Sequence, residues 1–219
     1  MGRASEKYLR DTTTLHICYK CATTLQSRRA QAYKHFGGSY CFHITRLTFG
    51  RADGNLVQGA DALFSAAKNL NIHPDIRSLS EELFAAQIGE DLEAAGFRWE
   101  PHATSESEGD DALIFDEAGS DARIGRNAMG LSQTVTFLFE MRGIGIAEQE
   151  FQRRTTCGLT MATSLLQTAA DNANRVYNTI SASVEDFVSS SKNVIVTDYT
   201  ETSERTWTMI DVNNGSLIL

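Results

Sequence analysis

The chain lacks an apolar run of transmembrane length, and it lacks a charged-then-apolar leader at its start. Read literally, it has no membrane partner and no visible address, which makes the cytoplasm the default compartment. A periplasmic or secreted location follows only if a leader precedes Met1. Positive charge is also in deficit: the net charge is −8, which argues against a general nucleic-acid binder. Cys-x-x-Cys occurs once, at Cys18 and Cys21, with no second copy to complete a zinc module. His35 and His43 are too far apart to form the usual His-x(3–5)-His half of a finger. Gly143-x-Gly145 lacks the third glycine and the strand–turn–helix order of a dinucleotide loop.

What is present is enough for one sizeable core: 219 residues, 42% of them hydrophobic. The charge is unevenly spread. Residues 1–51 carry nine Lys or Arg against Glu6 and Asp11, whereas the remainder carries eleven basic and twenty-six acidic groups. Three of the four cysteines and three of the five histidines lie in the first 43 residues. This break in composition predicts two parts, an anomalous basic Cys/His-rich head at 1–46 and an α/β domain at 47–219. Within the head, Thr12 to Tyr19 suits a strand and Ser27 to Phe36 a short helix. A zinc-stapled interaction module could be built from Cys18, Cys21 and His35 with Cys41 or His43, and His16 is also at hand. The competing reading is ordinary free thiols.

From Leu56 onward the pattern is that of a folded α/β domain. Gly59 to Lys68 is rich in helix formers and predicts a helix. Pro74, then Ile76, Leu79, Leu83, Ile88 and Leu92, predicts an amphipathic helix stopped by Gly96. Phe97 to Glu100 and Leu113 to Phe115 read as short strands, and Asp116 to Asp121 as a turn. His73 and His102 flank the two prolines and are expected in solvated loops. A helical spacing from Phe151 to Phe187 predicts a long helix with a break near Ser181–Ser183. Asn193 to Tyr199 reads as a strand, and Thr206–Val212 with Ser216–Leu219 as a hairpin around Asn213-Asn214-Gly215.

The most informative stretch runs from Ile124 to Ile146. Val135-Thr-Phe-Leu-Phe139 is an unbroken β-branched and aromatic run, the signature of a strand covered on both faces. Glu140 follows with no polar spacer, where α/β sheets place ligands. Glu140 could serve chemistry, or simply pair with Arg142. Gly125-Arg-Asn-Ala-Met-Gly130, just upstream, reads either as a substrate-facing loop through Arg126 and Asn127 or as a turn framed by its glycines.

Phe137-Leu-Phe-Glu-Met-Arg-Gly143, followed by Phe151-Gln-Arg-Arg154, resembles the zinc carboxypeptidase (carboxypeptidase A-like) family, and its bacterial branch in particular. The resemblance covers about residues 57–190. It implies an α/β fold with a mixed, mostly parallel sheet flanked by helices, of which this chain is an incomplete part. It implies hydrolysis of a C-terminal peptide or amide bond, with one Zn2+ as cofactor and a peptide or acylated amino acid as substrate. It also implies that Glu140 is the general acid/base and that Arg126, Asn127 and Arg142 bind or orient substrate. A zinc-bound water beside a carboxylate is a chemically coherent pair.

The family's upstream His-x-x-Glu ligand pair is missing, since no histidine here is followed three places on by Glu. Its Asn-Arg substrate motif is missing from the head as well. His43-Ile-Thr-Arg-Leu-Thr-Phe-Gly-Arg51 keeps the histidine and the Gly-Arg of the family's third zinc ligand, but has Ile44 where the bacterial branch has Glu. His43 is thus the one candidate ligand for the catalytic zinc that the resemblance implies. Catalytic zinc needs three protein ligands, so the sequence predicts a truncated copy, with a misread frame over residues 1 to about 46 as the expectation. The alternative is a carboxypeptidase-like protein that binds peptides or acyl amino acids without cleaving them.

Overall fold

A computed structural model describes the backbone of residues 17–18, 39–45, 48–50, 56–105, 115–117, 119–142, 150–201, 203–204, 209–211 and 217–218. Side chains are described within 59–104, 115–117, 119–141, 150–201, 203–204 and at 209. The helix expected over Ser27–Phe36, and the side chains of the Cys/His head, lie outside these residues.

The strands are β1 (Ile17–Cys18), β2 (Ser39–Thr45), β3 (Thr48–Gly50), β4 (Leu56–Gln58), β5 (Ala62–Ala66), β6 (Trp99–Pro101), β7 (Ala103–Ser105), β8 (Phe115–Glu117), β9 (Thr136–Arg142), β10 (Met209–Asp211) and β11 (Leu217–Ile218). The helices are α1 (Pro74–Ser78), which runs through a π-helical stretch (Leu79–Ala85) into α2 (Ala86–Ala94), then α3 (Gly125–Gly130), α4 (Phe151–Asp171) and α5 (Ala173–Ser189). Five strands make the main sheet in the order β1-β2-β9-β5-β6. A four-stranded sheet, β11-β10-β4-β3, and a β7-β8 pair stand apart from it. The molecule is α/β with a mixed sheet flanked by helices. In the main sheet β2–β9 and β5–β6 are parallel, while β1–β2 and β5–β9 are antiparallel.

The core lies on one face of this sheet. Ala62, Phe64 and Ala66 of β5, with Phe137 and Phe139 of β9, meet Ile76, Leu79, Phe84, Ile88 and Leu92 of the 74–94 helix and Cys157, Met161 and Leu165 of α4. Phe137 and Phe139 stack at 5.7 Å, and Phe64 stacks on Trp99 at 4.8 Å. Each fully buried ring contributes on the order of 2–3 kcal/mol through area alone. On the alternate parity of β5, Leu63 joins Ala60 in a separate small cluster. Neighbouring residues along a strand face opposite ways, so Glu140 belongs to the parity opposite Phe139, away from the helical core.

Several local expectations give way to packing. Gly59–Lys68 is read as a helix because alanine favours one, yet Ala62–Ala66 forms β5, buried on every residue. Pairing with β9 on one side and β6 on the other uses the backbone groups of β5, and small residues let two layers close on it. The 74–94 helix is present, and Gly96, at φ +77°, ends it with Gly96 N–H to Glu93 O and Phe97 N–H to Leu92 O. The break in the long C-terminal helix falls at Asn172, not at Ser181–Ser183. There the backbone leaves helical geometry (φ −113°, ψ 23°) and the side-chain amide donates to Thr168 O. Asn193–Tyr199 is exposed and forms no strand. Val194, Ile195, Val196 and Tyr199 all face solvent there, so no second layer rewards pairing. The hairpin survives as β10 against β11. Among the described residues no helix is long and apolar enough to cross a membrane.

Candidate active site around Glu140

Glu140 sits near the end of β9. Parallel pairing places its Cα opposite His43 of β2, and antiparallel pairing places it opposite Leu63 of β5. The run read as a two-sided buried strand is one: Val135 through Glu140 are all buried. Glu140 keeps only 10% of its side chain exposed, and its carboxylate Oε1 lies 3.2 Å from His102 Nε2.

His102 is not the solvated loop histidine expected from its sequence setting. Its side chain is 12% exposed, and its backbone N–H donates to Phe64 O at 2.9 Å, one step past the β5–β6 ladder. The ring's other nitrogen, Nδ1, is buried and has no hydrogen-bond partner among the described residues. His73 also differs from expectation. Its Nδ1 accepts from Asp75 N–H to cap α1, and its Nε2 lies 3.1 Å from Asp186 of α5.

Arg126 and Asn127 lie on α3, which packs on β9 and β2. Arg126 is buried, donates from Nη2 to Gly119 O at 2.8 Å, and leaves Nε without a partner among the described residues. Burial lowers its pKa, and the charge of Glu140 offsets part of that shift, so the two groups sense each other. Asn127 is wholly buried and its amide is fully committed. Oδ1 accepts from Lys68 N–H at 2.7 Å and Asn69 N–H at 3.3 Å, and Nδ2 donates to Gly119 O and Asp121 O. An amide has two donors and one carbonyl with two lone pairs, so no position is left for a ligand. This is the work of the turn-supporting reading, and it joins the 67–69 and 119–121 loops. The backbone of Arg142 pairs with Thr45, and its side chain lies outside the described ones.

The structure thus brings Glu140, His102 and Arg126 together, with His43 beside Glu140 in backbone register. His102 was missed because its role depends on the parallel pairing of β5 with β6, 37 residues apart in chain (Ala62 opposite Trp99). Nothing local in Glu100-Pro-His102 announces it. Among the described residues no three His, Cys, Asp or Glu groups converge as a metal site would require. A catalytic zinc takes three protein ligands. The described side chains do not make such a centre, and no step is derived through a metal.

Comparison with known proteins then supplies an independent line. The chain is 54% identical over 190 residues to "Carboxypeptidase 2" of Trichophyton rubrum, covering 85% of this chain and 35% of that protein. It is 49% identical over 190 residues to "Probable carboxypeptidase 2" of Arthroderma benhamiae and of Trichophyton verrucosum, spanning 36% and 37% of those proteins. These relatives are fungal. The similarity runs to them, where the sequence had suggested the bacterial branch. The chain spans little more than a third of their length. An aligned stretch covering 85% of the chain must include Ser39 through Arg142 whichever end it omits, so β2 and the Glu140 site both fall inside it. No family model matches the chain, and no solved structure does.

Proposed function

We propose that this chain carries the proton-transfer part of a zinc carboxypeptidase active site, hydrolysing the C-terminal peptide or amide bond of a peptide or acylated amino acid. The observation that carries the proposal is the position of Glu140. It is a mostly buried carboxylate near the end of a central strand, in register with His43 and within reach of an imidazole, inside a region similar to fungal carboxypeptidases. Glu140 takes the proton of the attacking water and returns it to the leaving amine, work worth roughly 10²–10⁴-fold in rate for a positioned carboxylate. Arg126 is buried on α3 and within electrostatic reach of Glu140. His43 is the residue of this chain proposed as a metal ligand.

Release of the C-terminal residue from an acylated dipeptide, measured with zinc supplied, tests the proposal. Glu140→Gln is expected to lower kcat about 10²–10⁴-fold while bound zinc, read by atomic absorption, is unchanged. Cleavage that survives Glu140→Gln at full rate would remove Glu140 from the reaction. Peptide binding with neither zinc nor cleavage would establish the non-catalytic alternative.

A further inference from the structure

We infer that His102 is a positioning residue for Glu140, donating its Nε2–H to carboxylate oxygen Oε1 and so fixing the orientation in which the glutamate meets its substrate. The inference rests on the reading of Glu140 as the acid/base. The Nε2–Oε1 separation of 3.2 Å is a hydrogen-bond distance, and both side chains are nearly nine-tenths buried. Three features of the chain make the ring a rigid donor. Pro101 ends β6 directly before it, the His102 N–H is held by Phe64 O, and the Phe64 ring is itself stacked on Trp99. A glutamate has three side-chain torsions to fix, and a donor anchored in the sheet selects one carboxylate orientation before substrate arrives.

The unpartnered Nδ1 decides between tautomers. With the proton on Nε2, the ring spends its donor on the carboxylate and leaves only an acceptor unpaired. With the proton on Nδ1, a buried N–H is stranded and two acceptors face each other across 3.2 Å. The geometry therefore places the proton on Nε2. Groups near the carboxylate include His102 beyond β6 and Arg126 on α3, while Leu63 of β5 and His43 of β2 stand opposite Glu140 in backbone register.

The test has a spectroscopic arm and a kinetic arm. In the 219-residue chain with 15N-labelled histidine, His102 is expected to show an exchange-protected Nε2–H proton that moves or is lost in Glu140→Ala. A His102 protonated on Nδ1, or a ring proton indifferent to Glu140→Ala, overturns the inference. In the kinetic arm, His102→Ala is expected to lower kcat roughly 10–100-fold with little change in KM. His102→Gln, which can still donate to the carboxylate, should recover most of that loss. Equal losses in both variants, or a loss confined to KM, would assign His102 a merely structural role. If the unsubstituted protein cleaves nothing, the proposed function falls, while the ring-proton arm still decides whether the contact exists.

Discussion

Asp61 and Glu140 are both buried carboxylates beside the β5–β9 pair, and the chain treats them in opposite ways. Asp61, just before β5, accepts from Arg153 Nε at 3.0 Å, Arg153 Nη2 at 2.7 Å and the Arg98 backbone N–H at 3.0 Å. Arg153 belongs to the first turn of α4, also donates to Gly96 O, and lies over the Phe97 ring at 4.9 Å. Burial is the largest single influence on Asp61 and pushes its pKa up. The Arg153 fork, the Arg98 amide and both positive charges together outweigh it and hold the carboxyl below its ordinary value. Near Glu140, His102 Nε2 lies 3.2 Å from the carboxylate and the Arg126 guanidinium is within electrostatic reach, and each of those two groups keeps a polar atom unpaired among the described residues. A carboxylate saturated by a rigid fork ties elements together. The role proposed for Glu140 is the opposite one, proton exchange instead of anchoring.

The comparison can be strained first at Arg153. Arg153→Gln leaves Asp61 buried without its fork. It should cost roughly 2–3 kcal/mol by urea unfolding, the range for hydrogen bonds to a charged group, held below the figure for a fully buried pair because Arg153 is 42% exposed. The acid side sharpens the same point. Asp61 has a depressed pKa, so its contribution is complete above the ordinary carboxyl value and fades as pH falls through the lowered one. In Asp61→Asn that part of the acid-induced loss of stability should vanish.

A smaller effect is expected where the scaffold of the site meets the helical core. A Cβ on Gly89 would stand 2.5 Å from a carbon of the Trp99 ring, the ring that stacks on Phe64. Gly89→Ala gains about 1 kcal/mol of helix propensity but should be net destabilising by about 1–2 kcal/mol through overpacking, read as a lowered Tm. The smallest effect is a null one. Cys157 is fully buried and its thiol is pushed up to about 12, chiefly by burial and then by the Asp61 charge, against the pull of Arg153. Peptide mapping after a thiol reagent should find Cys157 unlabelled in the folded protein and labelled after Arg153→Gln in moderate urea.

What could be read from sequence follows from how local each signal is. The Val135–Glu140 run and the Pro74–Gly96 helix declare themselves, because a buried strand and a capped amphipathic helix each need only their own residues. Glu140 was placed near the end of that strand for the same reason. β5 was misread because its alanines favour a helix locally, and only pairing with β6 and β9 makes it a strand. Asn127 was left between a substrate-facing and a turn-supporting reading because sequence cannot show that Lys68, Asn69, Gly119 and Asp121 use all of its amide. His102 was passed over because its partner is brought to it by strands distant in the chain. The fold was therefore legible where an element needs only its own residues, and the contacts around Glu140 were not.

The most direct test of the contrast is the urea midpoint of Glu140→Gln set beside that of Asp61→Asn. Removing a carboxylate that serves chemistry should leave stability within about 1 kcal/mol of the parent, or raise it, as is common at active sites. Removing the one that holds α4 to the sheet should cost roughly 2 kcal/mol. If Glu140→Gln is the costlier change, Glu140 is a structural anchor and the account of this site is wrong.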